Sequence, residues 1–223
     1  MYSTINAAIL AKMAGVEHVL MSSDSIVKEK GADGDIEYDY PTEYLNTINA
    51  SGLPVARLVL KVGCPIMVLR NITPSLGVCN GARGIVQRIT NRILEIRLLG
   101  GDHAGEIVFL PRMALEPKNT DVPFQLRRCQ FPVRLAFAMT INKAQGQSVK
   151  FVGLDLTIPV FTHGQFYVAM SRATSVSRIK VLLPAEDVAT RKTQNVVYKE
   201  VLIPVSHHIP CLIQRYSLNY LQT

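Results

Sequence analysis

Two short stretches concentrate the side chains able to do chemistry. Phe137-Ala-Met-Thr-Ile-Asn-Lys-Ala-Gln-Gly-Gln-Ser148 leaves the end of an apolar run and turns rich in hydroxyl, amide and cationic groups. Thr140, Asn142, Lys143, Gln145 and Gln147 can donate to phosphate oxygens, and Gly146 lets backbone come close to a ligand. An amphipathic helix with a solvated polar face and a glycine stop competes as an explanation of the same residues. In His163-Gly-Gln-Phe-Tyr-Val-Ala-Met-Ser-Arg-Ala173, Phe166, Val168, Ala169 and Met170 suit packing, and Arg172 closes the helix. An arginine there answers the partial negative charge of a helix end. It can also serve as a finger whose fixed charge meets the charge growing on a γ-phosphate. His163 and Gln165 read as caps or surface groups when taken alone.

Such groups work only if strands and helices bring them together. From Val133 the pattern alternates: a strand-like run at Arg134–Ala138, polar helix-compatible Thr140–Gln147, an apolar run at Val149–Leu156, a helix at Thr162–Ser171 and a strand at Ile179–Leu183. That order predicts βαβ units on a parallel sheet, with ligands beyond the strands' carboxyl ends. Upstream, Ile5, Ala8, Ile9 and Met13 recur at helical spacing, so Ser3–Ala14 reads as a helix. His18–Met21 reads as a short strand, Ser22–Asp39 as a polar loop, and Pro41–Asn49 as a short helix opened by proline. These elements are expected to extend the same parallel sheet.

Between the two parts the texture changes. Arg57–Lys61, Pro65–Arg70, Gly84–Thr90, Ile93–Leu99 and Glu106–Leu110 look like strands, with Asn80-Gly81, Asn91-Arg92 and Gly100-Gly101 as turn signals. Five short strands with tight connections predict a small antiparallel barrel, the alternative being an extended hairpin arm.

Hydrophobic residues make up 48% and charged residues 18% of the 223, enough to bury a core. The longest apolar runs are too short to cross a bilayer, so no membrane role is expected. Cys64, Cys79, Cys129 and Cys211 form no CxxC pair, so neither a zinc site nor a disulfide framework is expected. The net charge of +7 favours an acidic partner such as nucleic acid.

Together the two stretches resemble motifs V and VI of the Pif and Helitron helicases. KVGCPIMVLRNITPSLGVCNGARGIV is similar to the family's entry into a small Src-homology-3-like barrel, and RRCQFPVRLAFAMT to its return to the motor domain. MSSDSI and YPTEYLNTINASGLP resemble the segment before the barrel, so the likeness runs over roughly residues 4–200. It implies a parallel RecA-like sheet, the second motor domain of a P-loop helicase, with an inserted antiparallel barrel. The implied division is 1–55 motor domain, 56–130 barrel, 131–200 motor domain with motifs V and VI, and 201–223 a tail without assigned role. It also implies ATP-driven movement 5′ to 3′ on single-stranded DNA, ATP and Mg2+ as cofactors of the intact enzyme, and a nuclear location.

Residue by residue, the resemblance makes Arg172 the arginine finger and puts Gly146 and Gln147 at the nucleotide interface. Thr140, Asn142, Lys143, Gln145, His163 and Gln165 become contacts to single-stranded DNA, and no residue becomes a metal ligand. One departure is large. No GxxxxGKS or GxxxxGKT occurs in the 223 residues, nor an acidic pair after an apolar strand for magnesium. A finger supplies one part of a composite site, so this chain alone is expected to lack meaningful ATPase activity. Three readings follow. The chain is the carboxy-terminal part of an ATP-dependent helicase. Alternatively, it is a non-catalytic module holding single-stranded DNA through Lys143, Arg127, Arg128, Arg134 and the barrel. Lastly, it is an interaction protein that occupies an intact helicase as a decoy half. The protein partners these readings imply are the missing amino-terminal motor domain or an intact helicase.

Overall fold

The computed structural model describes residues 2–27, 40–50, 52–117, 122–190 and 192–198. The chain divides into two compact units, Met1–Ala138 and Met139–Thr223. The tail expected over 201–223, with Cys211, and most of the polar loop expected over Ser22–Asp39 lie outside the described residues.

In the first unit, α1 spans Tyr2–Lys12 and α2 spans Thr42–Thr47. The strands are β1 (His18–Met21), β2 (Ser23–Ile26), β3 (Arg57–Leu60), β4 (Pro65–Val68), β5 (Arg83–Ile89), β6 (Ile93–Leu98), β7 (Ile107–Pro111), β8 (Met113–Leu115), β9 (Leu126–Gln130) and β10 (Val133–Leu135). They form an antiparallel pair β1-β3, a three-stranded sheet β2-β9-β8 and a five-stranded antiparallel sheet β10-β4-β5-β6-β7.

The core comes from period-two alternation. On β6, Leu94, Ile96 and Leu98 are buried, and they face inward with Val108 and Leu110 of β7 and Val86 of β5. The turns use the expected chemistry. Thr90 Oγ1 accepts from the backbone N–H of Ile93 and donates to the Ile93 carbonyl, closing the β5–β6 hairpin. At the other end of β6, Gly101 adopts φ +78°, which glycine takes without steric cost.

Three sequence expectations change here. Arg134–Ala138 does not enter a parallel sheet, because its observed part, β10, pairs antiparallel with β4 (Val133 opposite Val68). The exposed edge of β4 needs backbone partners, and this register buries Val133 beside Phe131. His18–Met21 pairs with β3, which draws Arg57–Leu60 out of the expected five-strand group; β10 takes the vacated place. Part of the expected Ser22–Asp39 loop is strand β2, paired with β9. The face of α1 also differs, since Asn6 and Leu10 are buried while Ile9 is exposed. Asn6 explains this, because its amide donates to the Ala138 carbonyl at 2.8 Å and accepts the Ala138 N–H at 2.9 Å.

A further correction concerns Arg128, expected among the DNA-binding cations. It lies on β9 and is fully buried against Asp24 of β2, also fully buried, at 2.7 Å. Its remaining donors reach the carbonyls of Pro54 (3.2 Å) and Leu45 (3.0 Å). Such a pair tolerates burial only because its hydrogen bonds are met, and a guanidinium with no exposed surface does not reach a phosphate. Gln130 repeats the pattern one alternation on, donating to the Leu20 and Ala56 carbonyls at 3.0 Å each. Arg127 is exposed and faces Glu116 at 3.6 Å, and Arg134 lies 3.6 Å from the Met67 sulfur.

The second unit is smaller. Strands β11 (Val152–Asp155) and β12 (Ile179–Leu182) pair in parallel, with the short helix α3 (Gln165–Met170) in the crossover between them. Leu154, Leu156, Val160 and Ala169 form its core, with Ile141, Phe166 and Met170 packed against them. Thr140–Gln147 contains a single 3-10 turn, Ile141–Ala144, rather than an α-helix.

Candidate functional site

The nine site residues drawn from the two motif stretches all lie in the second unit. Apolar packing seats both segments that carry them. Ile141 holds the 3-10 turn on the small core, and Phe166, Ala169 and Met170 hold α3 there. Their polar neighbours then meet.

Arg172 joins the two segments. Its Nη1 donates to the carbonyl oxygens of Gln147 (2.9 Å) and Ala144 (3.3 Å), on either side of Gly146. Its Nε donates to the Val168 carbonyl at 2.7 Å and its Nη2 to Ser171 Oγ at 2.8 Å. The Arg172 carbonyl accepts the Val149 N–H at 3.0 Å. A planar guanidinium suits this task, because its fork meets carbonyls from two directions. Together with the Ser171 hydroxyl (3.1 Å), the Nε bond satisfies the Val168 carbonyl in the last turn of α3. Ser171 and these carbonyl acceptors carry no sequence signal, since hydroxyl and backbone groups look alike everywhere in a chain.

Gly146 adopts φ +78°, and nothing lies within 4 Å of where a Cβ would stand. Its role is therefore conformational: the left-handed turn lets the Ala144 and Gln147 carbonyls face one cation. Gln147 is half-buried and its amide donates to the Lys143 carbonyl at 3.1 Å.

Gln165 is buried and spends its side chain internally. Its Oε1 accepts the Phe161 and Thr162 N–H groups at 3.1 and 3.3 Å, and its Nε2 donates to Asn142 Oδ1 at 3.4 Å. Asn142 is exposed, so this amide pair links a surface group to the base of α3. Thr140, Lys143 and Gln145 are exposed on the same short segment, and the Thr140 carbonyl accepts the Lys143 N–H at 3.0 Å. His163 is exposed, and its ring stacks on Tyr198 with centroids 5.4 Å apart. The structure thus unites Arg172 with Gly146 and Gln147, and separately Asn142 with Gln165.

Comparison with known proteins decides the family. Residues 43–89 match the family described as DNA helicase Pif1, 2B domain. The human ATP-dependent DNA helicase PIF1 is 35% identical over 148 residues, which are 65% of this chain and 22% of that protein. The crystal structure of Pif1 helicase from Candida albicans superposes with a TM-score of 0.58 at 25% identity, covering 81% of this chain and 42% of that one. The chain belongs to the Pif1-type helicases. Bacteroides Pif1 in complex with ADP-AlF3 and single-stranded DNA has the same fold, with a TM-score of 0.55 at 22% identity over 80% of this chain and 37% of that one. This Pif1-type chain spans about a fifth to a quarter of the length of the mammalian relatives it matches.

The residues present do not by themselves fit a complete nucleotide site in this Pif1-type chain. Arg172 is a single cation whose N–H groups mostly engage carbonyls. Among the described residues no group of three or more His, Cys, Asp or Glu could hold a metal ion. The 223 residues contain no phosphate-cradling GxxxxGKS or GxxxxGKT.

Proposed function

We propose that this chain supplies the second-motor-domain part of a Pif1-type, ATP-dependent DNA helicase acting 5′ to 3′ on single-stranded DNA. The β11–α3–β12 unit is read as part of a RecA-like parallel sheet, and the five-stranded sheet as the inserted barrel. Thr140, Asn142, Lys143, Gln145 and His163 touch the strand, and Gln165 acts through Asn142. Gly146, Gln147 and Arg172 face a nucleotide whose phosphates are held by another domain, and Arg172 serves there as the finger. The observation that carries the reading is the Arg172 bridge to the Ala144 and Gln147 carbonyls, which ties motif VI to motif V across 25 residues.

That bridge has a chemical consequence. A nucleotide phosphate drawing on Arg172 competes with the carbonyls on both sides of Gly146 for the same donors. Charge on the nucleotide and the shape of the Thr140–Gln147 segment are then coupled. One site can thereby report to the other without a new contact. A second reading is a non-catalytic single-stranded DNA-binding module or a decoy for an intact helicase, and the net charge of +7 suits its DNA-binding form. Both readings place the protein where DNA is, and the nucleus is the expected location.

Fluorescence anisotropy with a labelled oligothymidylate tests the DNA part. Binding should weaken steeply with salt, and Lys143→Ala should lower the slope of log K against log salt by about one unit. ATPase assays of the purified chain, with and without the oligonucleotide, should show no turnover above background. Robust turnover, or binding indifferent to salt and to Lys143, would remove the proposal.

A further inference from the structure

One contact of the second unit lies outside the helicase reading. The chain after β12 returns to the loop before α3, and Tyr198 meets His163 twice. The two rings lie 5.4 Å apart at an interplanar angle of 22°, a stacked arrangement. The backbone N–H of Tyr198 also donates to His163 Nδ1 at 3.1 Å. With Nδ1 accepting, the other ring nitrogen, Nε2, is left to face solvent or a ligand. His163 is therefore oriented by one contact and covered on a ring face by the other, although both residues are surface-exposed.

A planar ring lying on an exposed imidazole is the arrangement that a nucleobase would adopt there, since every base offers a π-face to stack. We propose that Tyr198 is an internal occupant of that stacking face. The stretch 192–198 forms a strap that must lift before a base of single-stranded nucleic acid can lie on that face of His163. This proposal rests on the single-stranded DNA reading given above and adds a restraint to it. The strap is held by one aromatic pair and one backbone hydrogen bond, both weak at a wet surface. It is suited to being displaced rather than to sealing a site. Apparent affinity falls by the fraction of molecules whose strap is open.

The test uses the full 223-residue chain, a labelled oligothymidylate, and the variants Tyr198→Ala, Tyr198→Phe and His163→Ala. Tyr198→Ala should bind about three- to tenfold more tightly, the range such a displaced pair can supply. Tyr198→Phe keeps the ring and should match the unsubstituted chain. His163→Ala removes both strap anchor and stacking face and should lose the gain when combined with Tyr198→Ala. Proton NMR checks the contact directly, because the His163 ring resonances should shift when Tyr198 is replaced by alanine. Unchanged resonances, or equal or weaker binding by Tyr198→Ala while the unsubstituted chain binds normally, overturns the strap and leaves the DNA reading standing. Failure of every protein to bind overturns both.

Discussion

Arg172 Nη1 lies 2.9 Å from the carbonyl oxygen of Gln147, 25 residues earlier in the chain. The same nitrogen reaches the Ala144 carbonyl at 3.3 Å, so one side chain spans the turn at Gly146. A lysine at this position would present a single point charge and could not also reach the Val168 carbonyl and Ser171 Oγ. Arg172→Lys should therefore loosen the turn almost as much as Arg172→Ala. Hydrogen exchange at Gln147 and Val149 should accelerate in both variants. Urea unfolding should show a loss of about 1–3 kcal/mol. Unchanged exchange at both amides would mean that the guanidinium does not hold the turn.

Asp24 and Arg128 form a fully buried pair, and removing one charge strands the other. Asp24→Ala and Arg128→Ala should each cost about 3–5 kcal/mol, measured by chemical denaturation. A double replacement by apolar residues of similar volume should cost much less than the sum of the single changes. Additive losses would show that the two groups do not depend on each other. Neither change should alter the salt slope of DNA binding in whatever fraction remains folded, since Arg128 contacts no solvent.

Two glycines make a contrast that tests how each is used. Gly146→Ala meets open space and pays only for its φ of +78°, about 1–2 kcal/mol. Gly84 on β5 has no unusual φ, but a Cβ there would stand 2.9 Å from Ile96 Cδ1 and 3.1 Å from the Arg97 carbonyl. Gly84→Ala should be the more damaging change in thermal unfolding, because backbone cannot move aside as a side-chain tip can. The opposite order would show that β5 and β6 have slack.

Burial pushes the Cys64 thiol above its ordinary range, and desolvation is the main cause. A thiol reagent should therefore label Cys79 and Cys129, both half-buried, well before Cys64. The pH effect on stability has a definite sign. In the unfolded chain Cys64 ionises near its ordinary value, while the folded chain holds the proton longer, so above that value the unfolded state binds fewer protons. Stability contributed by this thiol is complete below the unfolded value and declines as pH rises from there toward the folded value. Cys64→Ala should flatten that alkaline decline in denaturation curves, and an unchanged slope would count against the assignment.

Much of the second unit could be read from residue types alone. Its small core uses Leu154, Leu156 and Ala169 at strand and helix spacing, and β11, α3 and β12 fall inside the segments expected for them. The turn signals of the five-stranded sheet were equally local and equally legible. Pairing partners were not. Nothing in Val133–Leu135 says that β4 rather than β11 will accept it, because backbone edges are chemically alike and alternation reports only which side is buried. The Asp24–Arg128 pair was invisible for the same reason. A lone aspartate in a polar stretch looks solvated until a strand 104 residues away is laid beside it. At the candidate site, Arg172 was legible as a cation closing a helix, but its carbonyl partners were not.

The Asp24–Arg128 pair also orders events in time. Strand β2 has β9 as its neighbour, and the salt link between them closes a loop of about a hundred residues, which is slow to form. During synthesis Ser23–Ile26 waits, unpaired with β9, until the ribosome has released the chain through Gln130. An intermediate stalled before that point carries an ionised aspartate on an open strand edge. That charge discourages neighbouring nascent chains from adding to the edge.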